Sequence, residues 1–224
     1  MKKFLMTLAV ACFALTASAQ EKGDLRFGVT AGMNVSNITD MEMDSRIGFH
    51  VGAKAEYNIT DNLYGSAALL FSQKGATKEH GYAEGGYTET SKLSCNPGYL
   101  QLPIHIGYRY KVGEKVSIFG ETGPYFAYGI CGKAKDEWTE TYAGITESGE
   151  DKEDFFGDDK KEDNYGAKRF DCGWGVKVGV EAAKFQVSLG YEYGFTKVKD
   201  INDAFEGSKK PHNSNFMVSV AYMF

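Results

Sequence analysis

Eight stretches of this chain alternate large apolar side chains with small or charged ones, residue by residue. Successive side chains of an extended strand point to opposite faces, so a period of two predicts strands with one apolar and one polar side. The first stretch, residues 25–35, sets Leu25, Phe27, Val29, Ala31, Met33 and Val35 against Arg26, Gly28, Thr30, Gly32 and Asn34. The same pattern predicts strands over 47–59, 63–74, 98–110, 116–130, 170–181, 185–195 and 216–224. Short turns at 60–62, 111–115 and 182–184 take turns with long polar connections at 37–46, 75–97, 131–169 and 196–213. Ten-residue alternating units joined by short and long links in turn predict an all-β chain, an eight-stranded antiparallel up-and-down transmembrane β-barrel. The short turns then mark the periplasmic end and the long loops the outside.

Aromatic residues decide which face meets lipid. On the apolar side, Tyr57, Tyr108, Tyr110, Phe185, Tyr222 and Phe224 gather near one set of strand ends. Phe49, Phe71, Tyr128, Trp174, Tyr191, Tyr193 and Phe195 fall toward the other. Two aromatic girdles are what the two membrane interfaces favour. The opposite face mixes glycine with balanced charge: Arg26, Lys54, Lys74, Arg109 and Lys177 against Glu56, Glu121, Asp171, Glu181 and Glu192. Eight strands enclose just enough space for side chains to fill. The expected lumen is therefore a self-neutralising network, not a pore.

The first residues read as an export signal. Lys2 and Lys3 precede the apolar run 4–15, and Ala17-Ser18-Ala19 offers a small-residue cleavage site. The expected division is a signal peptide over 1–19 and one barrel domain over 20–224. No later apolar run reaches the length of about 20 residues that a membrane helix needs. The 27 glycines, 14 tyrosines and 15 phenylalanines against 4 prolines suit a strand-rich chain. A net charge of −5 without a basic cluster gives nucleic acid no purchase.

Candidate chemistry is sparse. Twelve acids and six lysines crowd residues 133–168, but from Asp151 the spacing of a calcium-binding loop fails, because Phe156 stands where the turn glycine belongs. The segment reads as a solvated, mobile loop, with Trp138, Phe155 and Phe156 as residues that could engage a partner. His50 and His105 have inward parity and could serve a lipid-modifying enzyme as bases, yet no serine and acid stand beside them at readable spacing. No catalytic, cofactor or metal residues are expected. Cys95 and Cys131 share inward parity at the outer rim of neighbouring strands and are expected to approach disulfide distance, leaving Cys172 free.

Several short motifs resemble a known group: Phe71-Ser-Gln-Lys-Gly75, Tyr99-Leu-Gln-Leu-Pro-Ile104, Gly120-Glu-Thr-Gly-Pro-Tyr125, Asp171-Cys-Gly-Trp-Gly175 and Tyr191-Glu-Tyr-Gly-Phe195. Together they resemble the outer-membrane β-barrel domain of Bacteroidetes, the PorT-like group, akin in architecture to the OmpX and OmpA barrels. The resemblance implies the outer membrane of a Gram-negative bacterium, with outer-membrane lipid and lipopolysaccharide around the barrel. Barrel-assembly machinery would read the C-terminal strand ending in Phe224. It implies no catalytic residues. The expected role is structural or surface-interacting, through the outer loops. An accessory part in protein secretion is the alternative, ahead of a narrow pore or an enzyme.

Overall fold

The computed structural model describes residues 23–157, 164–199 and 210–224. The expected signal segment, residues 1–19, lies outside them. Among the described residues there are thirteen strands: β1 (Leu25–Ile38), β2 (Asp44–Asn58), β3 (Leu63–Gln73), β4 (Ala76–Glu84), β5 (Tyr87–Cys95), β6 (Gly98–Lys111) and β7 (Val116–Cys131) come first. β8 (Lys133–Tyr142), β9 (Ile145–Phe156), β10 (Asn164–Ala167), β11 (Phe170–Ala182), β12 (Phe185–Lys197) and β13 (His212–Met223) follow.

Eight of them close a ring. β1, β2, β3, β6, β7, β11, β12 and β13 pair in that order, all antiparallel, and β13 pairs back onto β1 with Gly28 opposite Met223 and Asn37 opposite Ser214. The predicted faces hold. Ile47, Val51, Leu69, Ile104, Val178 and Val220 are exposed on the outer wall, while Glu56, Lys54, Gln101, Arg109, Glu121 and Glu192 are buried inside. A continuous apolar outer wall of this extent marks a surface meant for lipid or protein, not water. Tyr57, Tyr108, Tyr110, Trp174, Tyr191 and Tyr193 lie exposed on that wall, and Tyr222 packs between Phe185 at 5.1 Å and Phe224 at 5.6 Å.

The short turns are locally specified. Thr60 Oγ1 accepts from the backbone N–H of Leu63 at 2.9 Å, closing the β2–β3 turn. Ala183 adopts φ 54° between β11 and β12, the left-handed backbone that a two-residue hairpin demands.

Within the connections 75–97 and 131–169 the described residues form paired strands, where 133–168 was expected to be a solvated, mobile loop. β4 and β5 form one hairpin, β8 and β9 another, and β5 pairs with β8 to join them. Asp44 and Ser45 of β2 pair with Thr77 and Ala76 of β4, so this hairpin sheet grows directly from the barrel wall. Charged and polar side chains occupy both faces of these strands, and cross-strand pairing does the ordering that burial does in the barrel.

Beneath the sheet a small core caps the lumen. Ile38, Met43, Ala76, Cys95, Tyr99, Phe155, Phe156 and Val198 belong to one buried cluster. Phe155 and Phe156, expected to reach for a partner, are instead 0% and 4% exposed. Phe155 stacks on Tyr165 at 5.3 Å, and Phe156 meets Tyr99 edge-on at 5.4 Å. Phe156 also lies flat over Gly129, where an added Cβ would come within 2.2 Å of its ring.

The expected bridge between Cys95 and Cys131 is corrected. Both are free thiols; Cys95 is buried in the cap and Cys131 is exposed. The cause is an irregularity between β6 and β7. Gly98 pairs with Cys131 but Tyr99 with Gly129, so Ile130 is an extra residue and both Ile130 and Cys131 face outward. One bulge inverts the parity on which the pairing depended.

Candidate functional site

Two places concentrate chemistry: the lumen and the hairpin sheet. In the lumen, inward parity brings every expected charge into contact with an opposite one. Glu56, fully buried, accepts from Arg109 Nη2 at 2.6 Å and from Gln186 Nε2 at 2.9 Å, with Lys54 Nζ at 2.9 Å and Arg26 Nη1 at 3.5 Å. Glu181 takes Arg26 at 3.1 Å and Arg109 at 3.1 Å. Lys54 continues to Glu121 at 2.7 Å, and Lys177 approaches Glu121 at 3.6 Å. Toward the hairpin end, Lys74 lies 3.4 Å from Glu192 and 3.9 Å from Asp171, with its ammonium 4.4 Å above the Tyr125 ring. The expected network therefore assembles as two clusters, Glu56–Glu121–Glu181 near the short turns and Asp171–Glu192 near the cap.

Several members escaped the sequence reading. Tyr64 points inward, donates to Glu121 at 2.9 Å and lies under the Arg109 guanidinium at 4.3 Å. Gln186 bridges Glu56 and Glu181, and Asn213 donates to Asp171 at 2.9 Å. The inward parity of Tyr64 and Gln186 was readable, whereas Asn213 fell in the expected connection 196–213; the role of all three as neutral links between charges was not readable.

The histidines find partners. His50 Nδ1 lies 2.7 Å from Asn34 Oδ1, and His50 Nε2 lies 3.0 Å from Ser219 Oγ. That order copies a nucleophile, a base and an orienting amide. The set is buried in the barrel wall and tied to its backbone. All three side chains are buried, and Asn34 also donates to Ser72 and to the carbonyl of Gln73. Ser219 stands between paired strands, opposite Gly32 and Ser188, so the ladder uses the backbone N–H groups an oxyanion would need. His105 lies 3.7 Å from Glu121 with no serine in that contact. Among the described residues, no group of three or more His, Cys, Asp and Glu is placed to hold a metal ion.

The hairpin sheet sorts its charges by face. One face carries Glu79, Glu137, Glu150 and Asp154 with Lys92, Lys133, Lys135 and Lys152. Those charges pair: Lys92–Glu79 at 2.6 Å, Lys133–Asp154 at 2.6 Å, Lys135–Glu150 at 2.6 Å, and Lys152 with Glu150. Hydrogen bonds from Lys135 and Lys152 hold the Glu150 carboxyl below its ordinary range, and Lys133 does the same for Asp154.

The other face carries Glu84, Glu89, Asp136, Glu140, Glu147, Asp151 and Glu153, with Lys78 as its one lysine. Register sets like against like: Glu89 opposite Glu140, Glu140 opposite Glu147, and Asp136 opposite Asp151. Such pairs destabilise a sheet by roughly 0.2–1 kcal/mol each. Aromatic side chains lie among them. Tyr82 and Tyr87 pair at 6.4 Å, Trp138 covers Gly149, and Tyr142 is exposed at the tip. At its base the same face carries Ala76, Cys95 and Ala134, buried in the cap, where burial pushes the Cys95 thiol up to about 12.

Residues 17–200 match the family model described as the outer membrane protein beta-barrel domain. Among solved structures, the chain is similar to Ail, the attachment invasion locus protein of Yersinia pestis, at 14% identity over 91% of this chain and 99% of that one, TM-score 0.35. It is similar to Neisserial surface protein A at 13% identity over 89% and 97%, TM-score 0.41. It is also similar to OprG from Pseudomonas aeruginosa at 11% identity over 92% and 99%, TM-score 0.41. No curated protein sequence matches the chain.

Proposed function

Because the chain belongs to the outer membrane protein β-barrel domain family, we propose that it is a surface-interaction component of a Gram-negative envelope, acting through the hairpin sheet. The signal over residues 1–19 would be cleaved on export, and the short-turn end would face the periplasm. Lipopolysaccharide would surround the hairpin end of the wall. The terminal strand, whose last residue donates its backbone N–H to the Phe27 carbonyl at 2.8 Å, would be the segment read by assembly machinery.

One observation carries the reading: four strands, β4, β5, β8 and β9, build an ordered sheet beyond the aromatic belt, above a lumen filled with paired charge. A barrel whose work lay in transport would need an open lumen. A barrel acting only as wall would need no such sheet. The same sheet favours a surface role over an accessory part in protein secretion.

The test is to replace residues 76–95 and 133–167 by short turns. The expected product is a barrel that still shows heat-modifiable migration but whose cells lose the binding traits conferred by the full chain. Unchanged surface traits in cells carrying the trimmed barrel would sink the reading.

A further inference from the structure

The hairpin sheet ends on an open edge. β9 pairs with β8 from Ile145 to Asp154, but with β10 only around Asp154 and Phe156. Among the described residues, 145–153 therefore present one side of their backbone without a strand neighbour. An edge of that length is a template for strand addition, in which main-chain hydrogen bonds give affinity and alternate side chains give specificity.

Charge decides which strand fits. Glu147, Asp151 and Glu153 of β9 project from the acidic face, next to Glu140 and Asp136 of β8. A second copy of β9 would set these carboxylates against their own kind, so the edge disfavours self-association. A strand with Lys or Arg at every second position would place its cations beside them and relieve the like-charge rows already built into the sheet. Tyr142 and Trp138 offer the stems and charges of such side chains an aromatic surface. The opposite face has no such demand, since its lysines and carboxylates already pair.

We propose that β9 docks an extended polypeptide segment of another protein as an added strand, with alternating basic side chains lying on the acidic face. The proposal rests on the surface-interaction reading and specifies its partner.

The experiment uses the full chain, folded in lipid nanodiscs. Trp174→Phe leaves Trp138 as the sole tryptophan, since the chain has 2. The probe is a peptide of about twelve residues alternating lysine and threonine. One control is its glutamate–threonine counterpart; another carries methyl groups on alternate backbone nitrogens. The lysine peptide is expected to change Trp138 fluorescence saturably, with affinity falling about tenfold between low and physiological salt. Neutralising Glu147→Gln, Asp151→Asn and Glu153→Gln together is expected to weaken it about tenfold, whereas Glu137→Gln with Glu150→Gln leaves it within about twofold. Backbone methylation is expected to cost at least about tenfold.

Equal binding of the glutamate peptide, or indifference to the triple neutralisation, overturns the charge rule. Full-strength binding of the methylated peptide overturns strand addition. If the lysine peptide fails to bind while trimming the sheet still abolishes surface traits, this proposal falls and the surface reading stands.

Discussion

Glu56 is the place where the lumen network can be broken most cleanly. It is fully buried and takes Arg109, Lys54, Arg26 and Gln186 around one carboxylate. Glu56→Leu removes the charge and leaves Arg109 and Arg26 to share Glu181, with Lys54 keeping Glu121 and the Gln186 amide oxygen. Removing one partner of a buried pair typically costs about 3–5 kcal/mol, because the remaining charge stays buried without compensation. Lys54→Met is expected to cost a similar amount through Glu121 and Glu56. The double variant restores equal numbers of opposite charges, so it is expected to cost less than the sum of the singles by about 2 kcal/mol or more. Reversible guanidinium unfolding in lipid vesicles, followed by far-ultraviolet circular dichroism, measures all three. Should Glu56→Leu alone fail to fold, recovery of the folded gel band on adding Lys54→Met reads out the same coupling. A single cost under about 1 kcal/mol, or strict additivity, would refute the idea that charge balance fills this lumen.

Other consequences follow from the cap and the wall. Maleimide should label Cys131 in the native protein within minutes and Cys95 only after unfolding, since Cys95 is buried and its thiol is held protonated; equal rates would contradict the bulge at Ile130. Brominated lipid should quench Trp174 on the outer wall and aqueous iodide should quench Trp138 on the hairpin sheet, and the reverse would place the membrane wrongly. Phe156→Ala should cost the cap about 3–5 kcal/mol, read as protease cleavage within residues 132–168 while the barrel band persists on a gel. Planar-bilayer recordings of the full chain should show no steady channel, because Lys74, Asp171 and Glu192 fill the lumen below the cap.

The barrel was legible because each of its strands must satisfy two solvents at once. One face meets hydrocarbon and the other a polar lumen, and that demand writes a period of two into every strand. The hairpin sheet answers to water on both sides. Its strands carry polar residues on both faces, one of mixed charge and one acidic, so Glu147, Asp151 and Lys152 looked like a solvated run until register assigned them to faces. Cys131 was misplaced because parity counting assumes an unbroken ladder, and the bulge at Ile130 adds one residue. The role of Tyr64 is hidden because an aromatic ring reads as apolar, whereas its hydroxyl and its ring face both serve the Arg109–Glu121 cluster. The pairing of Ser219, His50 and Asn34 joins residues far apart in the chain, and only closure of β13 on β1 brings them together.

That closure also sets the order of events in which the protein can come into being. β1 finds its second neighbour only when the twelve residues of β13 arrive, after every other strand among the described residues. Until then any partial sheet in the membrane would leave two rows of unpaired backbone groups in hydrocarbon, each costing several kcal/mol. No subset of strands is therefore a resting point, and growth by one hairpin at a time is energetically barred within the lipid. The chain must be held, extended or half-folded, in a place where its edges are masked until β13 is available. A chain truncated by that one strand would not be a barrel with an eighth of its wall missing; it would be a substrate for proteases.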